Sequence, residues 1–256
     1  MSHVIAIAGK GGVGKTTLSG MLIQRMCKTG KAPILAVDAD ANSNLNEVLG
    51  VDVDMTLGDV REQIERAEVS KENPIPSGMS KADYAEIMFQ RCLNEDDDFD
   101  LLVMGRTQGK GCYCYVNGLL QAQMQKLLPG YKYMVVDNEA GMEHISRGIL
   151  PKVDTLILVS DCSRRGVQAA GRIAELAKDC NLNPKTMGLI VNRAPGGKLN
   201  SGTLEEIEKQ GLTLLGVVPH DDQVYEYDCE GKPTVELPDS SPVRVALDEI
   251  IDRLDL

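Results

Sequence analysis

Tryptophan is absent from the 256 residues, phenylalanine occurs twice and histidine three times. His3, His144 and His220 share no ligand spacing, which leaves nothing from which a histidine-built zinc site could be assembled. Basic residues are outnumbered as well: 27 Lys and Arg against 38 Asp and Glu leave a net charge of −11. A protein that grips nucleic acid through its phosphates needs the opposite balance, so nucleic acid is not an expected partner. The opening MSHVIAIAGKGGVGK has no basic leader, and its apolar run breaks at Gly9 and Lys10. No signal peptide is therefore expected, and the reading is cytoplasmic. With 43% hydrophobic and 25% charged residues the composition suggests neither wholesale disorder nor a membrane class. Cysteine is better represented. Seven cysteines are an odd number in a chain without an export signal, which argues against a disulfide framework and adds weight to metal or redox use. Cys27, Cys92, Cys162, Cys180 and Cys229 are scattered, and each reads as a small hydrophobe rather than a ligand.

Seven short apolar runs recur along the chain: 3–9, 34–38, 101–105, 133–137, 155–160, 187–192 and 214–219. Helix-like segments lie between most of them, at 16–29, 81–93, 119–128, 163–180, 201–210 and 242–254. That alternation predicts an α/β fold, a single doubly wound, mostly parallel sheet of seven or eight strands with helices on both faces. One domain over 1–256 accounts for it. The stretch from 56 to 100 reads as an irregular insertion, with a short helix near Leu57 to Arg66, and its acidic run NEDDDFD as a solvated loop. The C-terminal VRVALDEIIDRLDL carries too few basic residues for a membrane-surface helix and is expected to pack on the core.

GKGGVGKTT at 9–17 fits the phosphate-loop pattern G-x-x-x-x-G-K-[ST], and it sits between a strand and a helical stretch, as such a loop requires. The glycines let the backbone approach phosphate oxygens closely. The amides of Gly11, Gly12, Val13, Gly14, Lys15, Thr16 and Thr17 open a helix whose N-terminal dipole favours an anion. Lys15 is placed to neutralise the β and γ phosphates, Thr16 to ligate Mg²⁺, and Thr17 to reach the α phosphate. Three carboxylates sit at predicted strand ends on the same edge of the sheet: Asp38 and Asp40 in VDADAN, and Asp137 in VVDNEAG.

Together, GKGGVGKTT, VDADAN and DNEAG resemble the deviant phosphate-loop ATPases that include MinD, ParA, the nitrogenase iron protein and the arsenite pump ATPases. The similarity spans nearly the whole chain. It implies that Lys10 crosses a homodimer interface to the partner's phosphates and that Asp40 positions the attacking water. It implies too that Asp38 and Asp137 stand near Mg²⁺, mainly through its waters. VNR at 191–193 and VPHDDQV at 218–224 resemble the strand ends that contact adenine in that family, which brings in Asn192, Arg193, Pro219, His220 and Asp221.

The remaining signal is GKGCYCYV at 109–116. Cys112 and Cys114 fall on a loop between a predicted strand and helix, and in an extended segment residues i and i+2 face one side, so both sulfurs could hold one ion. Two thiolates fill half of a four-coordinate site, and no His or carboxylate accompanies them. A second chain would complete it, an S₄ site in a closed dimer.

The C-x-C placement is similar to that of the CooC-type nickel-insertion ATPases of carbon monoxide dehydrogenase. The resemblance implies Ni²⁺ as cargo and carbon monoxide dehydrogenase as target, with ATP and ADP as nucleotides. Thiolates accept Zn²⁺ as readily, so the residues alone leave the ion open. Two other functions remain open: a MinD- or ParA-like positioning ATPase, and an iron-sulfur electron donor with a cluster shared by two chains.

Overall fold

The first strand divides its apolar residues between two layers. The computed structural model describes residues 2–40, 42–69, 74–105, 114–140 and 152–254. In it β1 (His3–Gly9) contributes Val4, Ala6 and Ala8 to one apolar cluster and Ile5 and Ile7 to another. Side chains along a strand alternate between faces, so an unbroken apolar run is what a strand covered on both sides requires.

The other strands are β2 (Ile34–Ala39), β3 (Leu93–Glu95), β4 (Phe99–Val103), β5 (Tyr133–Asn138), β6 (Thr155–Asp161), β7 (Thr186–Ala194) and β8 (Leu214–Pro219). They form one eight-stranded sheet in the order β3-β4-β2-β5-β1-β6-β7-β8. All pairings are parallel except β3 with β4. Each of the seven apolar runs lies in or overlaps a strand. The eighth, β3, spans LNE, three residues too short and too polar to stand out in sequence. β4 also begins and ends two residues earlier than the run at 101–105. Between β3 and β4 the acidic residues Asp96, Asp97 and Asp98 are exposed.

The helices among the described residues are α1 (Lys15–Lys28), α2 (Leu45–Leu49), α3 (Leu57–Val69), α4 (Lys81–Arg91), α5 (Cys114–Leu127), α6 (Arg164–Asp179), α7 (Ser201–Lys209), α8 (Asp222–Cys229) and α9 (Pro242–Arg253). α1 and α9 cover the face that carries Ile5 and Ile7, with Leu18, Met21, Leu22, Leu247 and Ile250 among the buried contacts. α3, α4, α6 and α7 cover the other face through residues such as Leu57, Phe89, Val167 and Ile207. α2 and α8 were not expected. α2 has five residues, and α8 buries no side chain, so neither carries an apolar stripe. The stretch from 56 to 100 holds α3, α4 and β3. α3 starts on a reciprocal cap: the Thr56 amide donates to the Asp59 carboxylate at 2.8 Å, and the Asp59 amide to the Thr56 hydroxyl at 3.2 Å.

α9 packs on the core as expected, but it also buries Arg244. Arg244 Nη1 donates to the carbonyls of Val235 (2.6 Å) and Leu237 (2.8 Å), and Nη2 donates to Gln24 Oε1 on α1. Gln24 Nε2 donates in turn to the Val235 carbonyl at 2.6 Å. One guanidinium therefore ties α1, α9 and the 3₁₀ turn at Thr234–Glu236 together. Removing it would leave the buried Leu237 carbonyl and Gln24 Oε1 without this donor, while the Val235 carbonyl would keep Gln24 Nε2. Arg244→Met is expected to lower the unfolding free energy by about 3 kcal/mol, measured by urea denaturation. A loss below about 1 kcal/mol would show that this network carries little of the stability.

Candidate functional site

Parallel pairing brings the C-terminal ends of β1, β2, β5, β6, β7 and β8 to one edge of the sheet, and the residues read as nucleotide- or Mg²⁺-binding lie along that edge. β1 leaves the sheet at Gly9, where a Cβ would lie 2.3 Å from the Val159 carbonyl oxygen on β6. Gly12 and Gly14 then take left-handed conformations, φ 78° and 91°, which L side chains rarely adopt. The turn ends at the first residue of α1. Its N-cap is Gly14, which has no side chain to cap the helix, so the first-turn amides can face an anion. Lys15 is buried, and its Nζ reaches back toward the Lys10 carbonyl at 3.4 Å, holding the ammonium over the loop. Lys10 itself is exposed.

The expected carboxylates converge. Asp38 and Asp137 are paired in register on neighbouring strands, and both are buried. Ser19 Oγ donates to Asp137 Oδ1 at 2.9 Å, and the Thr16 hydroxyl bonds the same carboxylate. Burial pushes Asp137 up from the ordinary 3.8 to about 6; the Thr16 bond works against that rise and the neighbouring Asp38 charge adds to it. Burial raises Asp38 too, opposed by the amides that its carboxylate accepts, Leu45 at 3.0 Å and Asp40 at 2.9 Å. Asp38 thus pins both ends of the turn that leads into α2. Asp40 faces the phosphate side with Asn42 and Glu139.

The strand-end residues of β7 and β8 have two kinds of placement. Pro219, His220 and Asp221 line a cleft of about 470 Å³ together with Thr17 and Asn192, beside the phosphate loop. Asp221 caps α8 by accepting from the Gln223 amide at 3.0 Å and accepts from Ser241 Oγ at 2.6 Å. His220 Nε2 lies 3.0 Å from Asp222 Oδ1. Asn192, expected to meet a base through its amide, spends Nδ2 on the Val13 carbonyl at 2.9 Å. Arg193 Nη1 donates to the Gly12 carbonyl at 3.1 Å, from a residue held at φ 57°. The end of β7 therefore clamps the phosphate loop from outside. A Cβ on Gly14 would stand 2.4 Å from Asn192 Nδ2, so the clamp and that glycine require each other.

Cys112 lies outside the described residues, as does His144. Cys114 is the first residue of α5, which starts five residues before the expected helix; the backbone at Cys114 is helical and not extended. Cys27 and Cys92 fit the bystander reading, since burial pushes their thiols up to about 11 and about 12. Ser19 and the clamping role of Arg193 escaped the sequence reading. A serine inside a helix carries no signal until the fold brings it to Asp137.

Residues 4–235 match the family described as the CobQ/CobB/MinD/ParA nucleotide binding domain. An ATP-binding protein of Methanocaldococcus jannaschii is 39% identical over 253 residues, 98% of each chain. The carbon monoxide dehydrogenase accessory protein CooC of Rhodospirillum rubrum is 31% identical over 245 residues, 91% of this chain and 89% of that one. The cell division ATPase MinD of Pyrococcus furiosus has the same fold, with a TM-score of 0.71 and 22% identity, covering 100% of this chain and 99% of that one.

Gly14→Ala is expected to weaken nucleotide binding at least tenfold, on the order of 1.4 kcal/mol or more, while far-UV circular dichroism stays unchanged. Unaltered affinity in a titration calorimeter would mean that the clamp tolerates displacement. A carboxyl raised from 3.8 to about 6 is protonated in the folded chain where the unfolded chain has lost its proton. Its stabilisation is present in full below the lower value and is lost as pH rises through the higher one. Between pH 4 and 7 the ligand-free protein should lose roughly 2.5 kcal/mol from this group. Asp137→Asn should remove that slope, and equal slopes in the two proteins would contradict the assignment.

Proposed function

We propose that the chain, which belongs to the CobQ/CobB/MinD/ParA nucleotide-binding family, is an ATP-hydrolysing metallochaperone. Its cargo in this reading is Ni²⁺, held by Cys112 and Cys114 of two chains in a nucleotide-dependent homodimer, and its recipient is carbon monoxide dehydrogenase. The observation that carries the reading is Cys-Tyr-Cys at 112–114, whose second cysteine is the first residue of α5, in a chain 31% identical to a carbon monoxide dehydrogenase accessory protein. Two thiolates per chain suit a soft or borderline ion and need a second pair to close its coordination shell. Zn²⁺ could occupy the same thiolates.

In the ATPase step, the 11–17 loop holds the phosphates and Lys15 neutralises them, while Lys10 reaches the partner's nucleotide. Asp40 orients the attacking water, whose oxygen displaces ADP from the γ phosphorus. Asn192, Arg193, Pro219, His220 and Asp221 surround the base. The donors around Asp137 fit Mg²⁺: they are oxygens only, and a buried carboxylate with a raised pKa gains from a nearby cation. Thr16 and Asp137 would hold the ion, with Asp38 fixing the turn beside it, and bound Mg²⁺ would supply charge neutralisation at the phosphates.

A second reading is favoured by one relative, the septum site-determining protein MinD of Bacillus subtilis, 27% identical over 238 residues. It is a nucleotide-switched positioning ATPase that acts from a surface. Against it, α9 turns Val243, Leu247, Ile250 and Ile251 into the core, which leaves Val245 as its one exposed large apolar residue.

Anaerobic size-exclusion chromatography with metal analysis separates these readings. The wild type loaded with ATP and Ni²⁺ is expected to elute as a dimer with one ion for two chains. Cys112→Ser/Cys114→Ser should lose at least tenfold in metal retention while nucleotide affinity shifts less than threefold. Equal metal retention by both proteins would sink the metallochaperone reading, and ATP-dependent binding to anionic liposomes would favour the positioning switch. A brown protein with stoichiometric iron would point to the electron donor.

A further inference from the structure

The base-side cleft and the phosphate-side cleft share a wall. Thr17, Val48, Arg193, Asp228 and Thr234 line both. A nucleotide with its base beside Pro219 and its phosphates on the 9–17 loop must carry its sugar past these five residues. Neither Asp228 nor Thr234 belongs to any motif in the sequence.

Asp228 supplies the carboxylate of that wall. It stands in the last turn of α8, exposed, and its carboxylate makes no hydrogen bond or salt bridge to the described residues. Its position is set by the backbone, because the Gly231 amide donates to the Asp228 carbonyl at 3.2 Å and the Lys232 amide to the Tyr227 carbonyl at 2.9 Å. Thr234 is 4% exposed, and its hydroxyl is buried without a hydrogen-bond partner among the described residues. Buried hydroxyls are nearly always paired, so an orphan on a cleft wall marks a place where a polar ligand would supply the partner. The Arg244 network holds the turn that carries it.

Charge chooses the ligand part. A carboxylate repels phosphate, and a base offers it one or two amino hydrogens at most. The sugar offers two adjacent hydroxyl donors with no charge, which is the group that carboxylates take in other nucleotide sites.

We propose that Asp228 accepts the ribose hydroxyls of the bound nucleotide, with Thr234 as the second polar group of the same subsite, so that the site discriminates ribonucleotides from deoxynucleotides. The proposal rests on the reading that the two clefts hold one nucleotide.

Calorimetric titration of the full chain with ADP and with 2′,3′-dideoxyADP, in Mg²⁺, tests it. The wild type is expected to bind ADP about tenfold more tightly than the dideoxy analogue, the size of a lost hydrogen bond to a charged acceptor. In Asp228→Ala that ratio should fall to about one. The ratio cancels any general gain from removing a negative charge near the phosphates, and Asp228 is exposed, so the variant should keep the wild-type melting temperature. Equal binding of the two nucleotides by the wild type would overturn the ribose subsite. A tenfold ratio that survives in Asp228→Ala would overturn the role of Asp228. If the wild type bound neither nucleotide, the nucleotide reading would fall, and the subsite with it.

Discussion

Two buried carboxylates lie side by side at the centre of this molecule, and the surrounding structure is organised to tolerate them. Asp38 and Asp137 occupy matched positions on β2 and β5, both almost fully hidden from water. Charge in such a place is costly, and two like charges on adjacent strands raise the cost further. The fold answers with hydrogen bonds: Ser19 and Thr16 from α1 serve Asp137, and the amides of Asp40 and Leu45 serve Asp38. These bonds join the phosphate-loop helix, the turn before α2 and the end of β5 into one unit. A cation or a positively charged group arriving there would relieve the repulsion, which gives the site a built-in preference for the loaded state.

The same edge of the sheet supplies the support. β7 lies two strands from β1, yet its last residues reach the phosphate loop and hold the carbonyls of Gly12 and Val13. Gly12 and Gly14 make the turn possible, and Asn192 and Arg193 make it stay. On the far side, Arg244 holds the 234–237 segment against α1. The cleft is thus framed by elements from both ends of the chain, with α1 common to all of them.

Much of this was legible along the chain. Unbroken apolar runs marked the strands because a sheet buried on both faces has no polar side to show, and the glycine spacing at 9–17 marked the loop because few other residues can make it. β3, α2 and α8 were not legible, since each is short or lacks a buried face. The helix at Cys114 begins earlier than the residues suggested, in a stretch where glycines and cysteines carry little helical signal. In sequence Arg244 is one of two basic residues in the C-terminal segment VRVALDEIIDRLDL, and only three-dimensional proximity to Gln24 and the carbonyls of Val235 and Leu237 makes it an interior residue.

Fold class, phosphate loop and the acidic residues at strand ends follow from the order of amino acids alone, because they depend on local periodicity and on the conformational limits of single residues. Tertiary structure alone decided that Asn192 and Arg193 clamp the loop, that Ser19 serves Asp137, and that Asp228 and Thr234 stand between two clefts. The hydrogen bonds among those relations join residues 118 to 181 positions apart, and nothing in the local pattern of a chain specifies which distant side chains its packing will bring together.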